Sequence, residues 1–171
     1  TKVWGYNNSY PGPTIEAYFK EGITVKWINN LPENHLFSID ESIHWAGTDM
    51  DGNLPVPGEK FNGIPTVTHL HGGYNNADSD GHPESWYTPD FTYTGSNFYA
   101  NKGEYFYDNA QEASTLWYHD HTIGITRLNV YAGLAGFYLL RDEHVGSLDL
   151  PKDQHVVLDD PTSPIEHFEI P

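Results

Sequence analysis

The stretch Thr115-Leu116-Trp117-Tyr118-His119-Asp120-His121 decides how this chain folds. Its first half is β-branched, apolar and aromatic, the composition of a half-buried strand, and it ends in two histidines separated by one residue. Successive side chains on a strand point to opposite faces, so His119 and His121 share one face while Asp120 takes the other. Upstream, a strand predicted over 66–70 delivers a second pair, His69-Leu70-His71, and Gly72-Gly73 breaks that strand at once. If the two strands are neighbours, four neutral imidazoles converge on one pocket, a donor set that suits copper, zinc, iron or nickel better than calcium or magnesium. A single pair is weak evidence, because a lone histidine on an apolar face is more often a hydrogen-bonded core residue. Two pairs at the same spacing favour metal binding.

Outward from these strings the chain reads as all-β. Further strands are predicted over 3–6, 15–19, 23–27, 104–108 and 133–140, separated by turn signals such as Tyr10-Pro11-Gly12-Pro13, in the manner of an antiparallel sandwich or barrel. Helical periodicity is scarce; one short helix is expected within 122–131. Residues 31–65, dense in Pro, Gly, Asn and Asp, read mostly as loop. Residues 75–89 form a long polar loop, and loops of that length in a compact domain tend to be functional. Gly133 and Gly136 mark places where another group approaches the backbone closely. Residues 142–171, acidic and holding four prolines, read as a linker or exit segment after a domain spanning 1–141.

With 24 acidic against 8 basic residues the formal charge of the 171-residue chain is −16, which repels phosphate backbones and anionic membrane surfaces. Nucleic acid and membrane are therefore not expected partners. The absence of cysteine excludes disulfides, thiolate metal sites and cysteine nucleophiles. No apolar run reaches the length of a membrane span and the first residues lack the plan of a secretory signal. The chain also opens without methionine in extended sequence, pointing to a piece of a longer protein.

A ligating histidine needs its second ring nitrogen held by an acceptor, so backbone carbonyls or carboxylates must stand near both pairs. Asp120 cannot share its neighbours' metal and is read as a loop-bracing or solvent-facing carboxylate. Asp78 and Asp80 lie in the long loop where a turn brings one of them close enough to serve as a proton donor or relay. His35, His44, His82, His144, His155 and His167 lack paired spacing and are read as surface residues. Trp117 and Tyr118 alternate in facing, one toward the core and one flanking the site.

Together, Pro11-Gly12-Pro13-Thr14, His69-Leu70-His71-Gly72-Gly73, Trp117-Tyr118-His119-Asp120-His121 and Arg127-Leu128-Asn129-Val130-Tyr131-Ala132-Gly133-Leu134 resemble the first cupredoxin domain of a multicopper oxidase. Leu70, Gly73 and the run over 127–134 are similar to the bacterial spore-coat laccase and bilirubin oxidase branch. The resemblance implies a cupredoxin-like Greek-key β-sandwich or barrel with long loops. It implies that His69 binds a type 2 copper and that His71, His119 and His121 bind a type 3 pair, half of a trinuclear cluster that reduces O2 to water. The remaining ligands, and the type 1 copper with its cysteine where a small organic reductant is oxidised, belong by resemblance to the remaining cupredoxin domains of the same enzyme. Asp80 matches an acidic residue near the cluster's solvent channel, a catalytic proton donor. A spore-coat or extracellular location is implied as well. Two other readings stand beside this one: a hydrolase or lyase with a single zinc ion, and a copper-binding module without turnover.

Overall fold

Alternation of inward apolar and outward polar residues builds two sheets against a shared aromatic core. The computed structural model describes residues 2–47 and 63–143. The strands are β1 (Gly12–Tyr18), β2 (Ile23–Lys26), β3 (Thr68–His71), β4 (Glu104–Tyr107), β5 (Ser114–Asp120) and β6 (Ala135–Arg141), with one helix, α1 (Thr126–Ala132), before β6. One sheet has the order β1-β6-β5-β3; β2 and β4 form the other. Between them lie Ala17, Trp27, Leu70, Tyr105, Tyr107, Leu116, Tyr118, Tyr138 and Leu140, all buried. This is the cupredoxin-like sandwich expected from the sequence.

A core so rich in tyrosine must satisfy its hydroxyls, since an unpaired buried donor costs about 1–3 kcal/mol. Tyr118 donates to the Pro13 carbonyl at 2.6 Å and Tyr138 to Asn109 Oδ1 at 2.5 Å. Tyr107 accepts from Trp27 Nε1 at 3.1 Å, and Tyr87 donates to the Trp27 carbonyl at 2.7 Å. These bonds tie each sheet to the loops that close it.

The structure differs from the sequence reading in two places. β1 and β6 pair in parallel, whereas the other pairs are antiparallel as expected. These strands stand at opposite ends of the described chain, so the long connection that a parallel pair needs is available. Residues 3–6 are not a strand: a 3-10 turn occupies Tyr6–Asn8, with Asn7 and Asn8 both at positive φ. A left-handed backbone cannot continue a ladder, and only the Trp4 amide reaches across, to the Ala132 carbonyl at 2.7 Å. Gly136 faces the Tyr118 ring so closely that an added Cβ would lie 2.3 Å from it, which is the close approach expected at that glycine. The exit segment of 142–171 lies, from residue 144 onward, outside the described residues, as does 48–62 of the loop-rich stretch 31–65.

A four-histidine cluster as candidate metal centre

β3 and β5 are antiparallel neighbours in a register that sets His69 opposite His119, Leu70 opposite Tyr118 and His71 opposite Trp117. Leu70 and Tyr118 point into the core, so the histidines on either side of each point to the other face. His121 stands just past the end of β5, yet its amide still reaches the Val67 carbonyl at 2.8 Å, which keeps its side chain in line with His119. The four rings gather into one cluster. Centroids are 4.6 Å apart for His69 and His121, 5.4 Å for His71 and His119, and 5.7 Å for His119 with either His69 or His121.

Each ring is held, three of them by backbone carbonyls. His69 Nδ1 donates to the Asp80 carbonyl at 2.5 Å, His119 Nδ1 to its neighbour Asp120's carbonyl at 2.6 Å, and His121 Nδ1 to the Gly81 carbonyl at 3.0 Å. A carbonyl only accepts, so Nδ1 carries the proton in all three and Nε2 is left with a free lone pair. His71 is the exception, because its Nδ1 faces His119 Nε2 at 3.1 Å. With His119 Nε2 unprotonated, His71 Nδ1 must be the donor of that bond.

The long loop therefore acts through its backbone. Gly81 has φ +75°, and a Cβ there would lie 2.0 Å from the Thr68 carbonyl. Only glycine lets the loop lie this close to β3 and present two consecutive carbonyls, of Asp80 and Gly81, to two histidines. Of the two loop aspartates, Asp80 is the one near the cluster, with Oδ1 3.5 Å from His69 Nδ1 and the carboxylate 40% exposed. Asp78 instead accepts from Ser79 Oγ at 3.0 Å.

Burial shapes the electrostatics. Desolvation pulls His119 down to about 4, with its carbonyl bond opposing and the neighbouring histidines adding to the fall. Burial also lowers His69, against the raising effect of the Asp80 carbonyl and carboxylate. Both are thus held as neutral imidazoles, the form that binds metals. Asp120, expected as a loop brace or a solvent-facing group, is a brace and wholly buried. It accepts from Thr66 Oγ1 at 2.7 Å, Val67 N at 3.2 Å, Thr122 N at 3.0 Å and Thr122 Oγ1 at 2.9 Å. Burial pushes its carboxyl above the ordinary value, and the bonds from Thr66 and Thr122 pull the other way.

One further residue stands differently from the sequence reading. His35, expected at the surface, is half-buried, 3.0 Å from Asn129 Oδ1 and edge-on to the Trp4 ring at 4.6 Å; burial lowers its pKa. His44 and His82 are exposed as expected, and His144, His155 and His167 lie outside the described residues. The carbonyl clamps were not assignable from sequence, although the Asp80-Gly81 turn dipeptide in a long loop is their one trace.

A β-sandwich that gathers four histidines on two adjacent strands is a cupredoxin-like domain with a candidate metal centre. A family model described as multicopper oxidase matches residues 1–63. Over 155 residues, 91% of this chain, the sequence is 50% identical to a laccase of Bacillus stratosphericus, and over 157 residues, 92% of the chain, 46% identical to a laccase of Bacillus subtilis. A crystal structure of a laccase from Pediococcus acidilactici superposes with a TM-score of 0.57 at 24% identity, covering 88% of this chain and 24% of that one, a likeness of fold. The chain belongs to the multicopper oxidase family. It spans 28% of the length of the curated Bacillus relatives it matches. No helix among the described residues is long and apolar enough to cross a membrane.

Proposed function

We propose that this domain supplies four histidine ligands of a trinuclear copper cluster in a laccase-like oxidase, the other ligands coming from a further cupredoxin domain of the same enzyme. The observation that carries the reading is the set of carbonyl-anchored rings. Three imidazoles have Nδ1 tied to backbone oxygen, which leaves Nε2 as the donor, while His71 turns Nδ1 toward His119 Nε2. Two nitrogens bound to one ion through bonds of about 2.0 Å stand roughly 2.8–3.3 Å apart between right-angle and tetrahedral geometry. The 3.1 Å between His71 Nδ1 and His119 Nε2 fits one shared type 3 copper. Binding there would move the His71 proton from Nδ1 to Nε2. His121 then serves the second type 3 copper and His69 the type 2 copper.

When bound, the coppers would supply the electron-accepting centre at which O2 is reduced to water with electrons from an organic donor oxidised elsewhere in the enzyme. This chain's own part is to hold four neutral imidazoles and to place an exposed carboxylate, Asp80, beside His69, where it passes protons from solvent to the site. With no cysteine the chain supplies no thiolate, so electron entry belongs to another domain. A spore-coat or extracellular location is part of the same proposal, and fractionation of the source cells tests it.

The donor set does not favour the single-zinc reading. Among the described residues no group of three or more His, Asp or Glu is arranged to hold one metal ion, which a mononuclear zinc enzyme requires. A set that places two nitrogens on one ion and one on each of two others gives no such group. Metal analysis of the full-length protein, with oxygen uptake in the presence of a phenolic donor, tests the proposal. Several coppers per chain with uptake are expected. One zinc per chain, or copper without uptake, would overturn it in favour of the hydrolase or the non-catalytic module.

A further inference from the structure

We infer that Trp117 is the positioning residue for the His71–His119 pair, the inference resting on the copper reading above. Three of the four histidines are anchored at Nδ1 by a carbonyl. Among the described residues His71 has no such bond, and it is exposed at the end of β3 before Gly72, whose φ is +88°. The ring bond that His71 does make is to His119, itself a member of the cluster, so no hydrogen bond from outside the pair sets its outer torsion, which is broad and shallow. The indole of Trp117 supplies the missing constraint.

Trp117 stands opposite His71 in the β3–β5 register and two residues before His119, so all three side chains share one face. Its ring stacks on His71 at 5.4 Å with 26° between planes and on His119 at 4.1 Å with 31°. One flat surface thus covers both imidazoles whose nitrogens face each other at 3.1 Å. The indole keeps 38% exposure, although Leu116 and Tyr118 beside it on β5 are core residues. It packs against the site rather than within the core. Stacking fixes ring planes without using a ring nitrogen, so it is compatible with His71 donating through Nδ1, which a carbonyl anchor there is not.

The full-length protein is stripped of metal, reloaded with copper and titrated with a competing chelator, in wild type and in the Trp117→Phe, Trp117→Leu and Trp117→Thr variants. Losing an outer partner of a metal ligand weakens binding about 10- to 100-fold. The expected result is that Leu and Thr weaken retention of one copper per chain by about that factor, that Phe, with a flat ring, stays within a few-fold of wild type, and that the other coppers are held as before. Thr suits an exposed strand position, so at least one non-aromatic variant folds. A merely structural role would lower the melting temperature in all three and leave copper retention alike. Equal retention in Leu, Thr and wild type, or a loss in Phe as large as in Leu, overturns the inference while the copper reading stands. A wild type that takes up no copper overturns that reading and this inference with it.

Discussion

His119 is 5% exposed, and the cost of charging an imidazole there sets its behaviour toward protons. Its pKa falls to about 4 because burial disfavours the cation, against about 6.5 for the unfolded chain. Between those values the unfolded state binds more protons than the native state. Stability of the metal-free protein is therefore full above about pH 6.5 and declines as pH falls toward 4, by on the order of 3 kcal/mol from this residue. An NMR titration of the His119 ring should show a midpoint well below 6, and a midpoint at the free-imidazole value would contradict the burial argument. Proton competition for copper at His119 accordingly sets in at lower pH than for an exposed ligand. Asp120 is governed by the same burial with the opposite charge. Its carboxylate takes four hydrogen bonds from Thr66, Val67 and Thr122, so Asp120→Asn points an amide donor at groups that are themselves donors. Denaturant unfolding should show a loss of about 2–3 kcal/mol; a loss under 0.5 kcal/mol would mean that the network does not brace the turn after β5.

At the level of elements, the site is a product of register. A strand that slips by one residue turns its whole inward set outward, so the Leu70 and Tyr118 core contacts fix which way the histidines face. Tyr118 is central, locked by Pro13 through its hydroxyl and packed where Gly136 of β6 leaves room. Gly136→Ala places a methyl 2.3 Å from that ring and forces β5 or Tyr118 to move. Overpacking of this kind costs about 1–3 kcal/mol, and thermal unfolding should show the fall. An unchanged melting temperature would show that β5 is not seated against β6 as described. Strand periodicity made the shared face of each histidine pair legible from sequence, because it depends only on alternation and composition, whereas the pairing of β3 with β5 stood there as a condition that the structure meets. The turn at Tyr6–Asn8 was not legible. Residues 3–6 carry strand-forming side chains, and the left-handed backbone falls on Asn7 and Asn8, a residue type that tolerates that conformation without demanding it. Nor were the clamps on His69 and His121 legible, since they come from main-chain carbonyls far along the chain whose placement depends on Gly81 fitting against β3.

Across the whole molecule, the four-stranded sheet has a core face and a second face that carries the histidine rows with Trp117. The core face is closed by the β2–β4 sheet. On the other face the histidines present nitrogen donors, and the coordination each ion needs exceeds what this chain offers, which is why the proposed cluster is shared. The formal charge of −16 favours cations near that surface, and the four histidines of the proposed site could be named from sequence because their paired spacing is written in local sequence. The most direct test of the shared cluster is the copper content of the full-length protein with His119→Ala beside wild type, each checked for native secondary structure. The account predicts that the variant keeps its fold, loses copper and consumes no oxygen. A folded His119→Ala protein with the full wild-type complement of copper would contradict it.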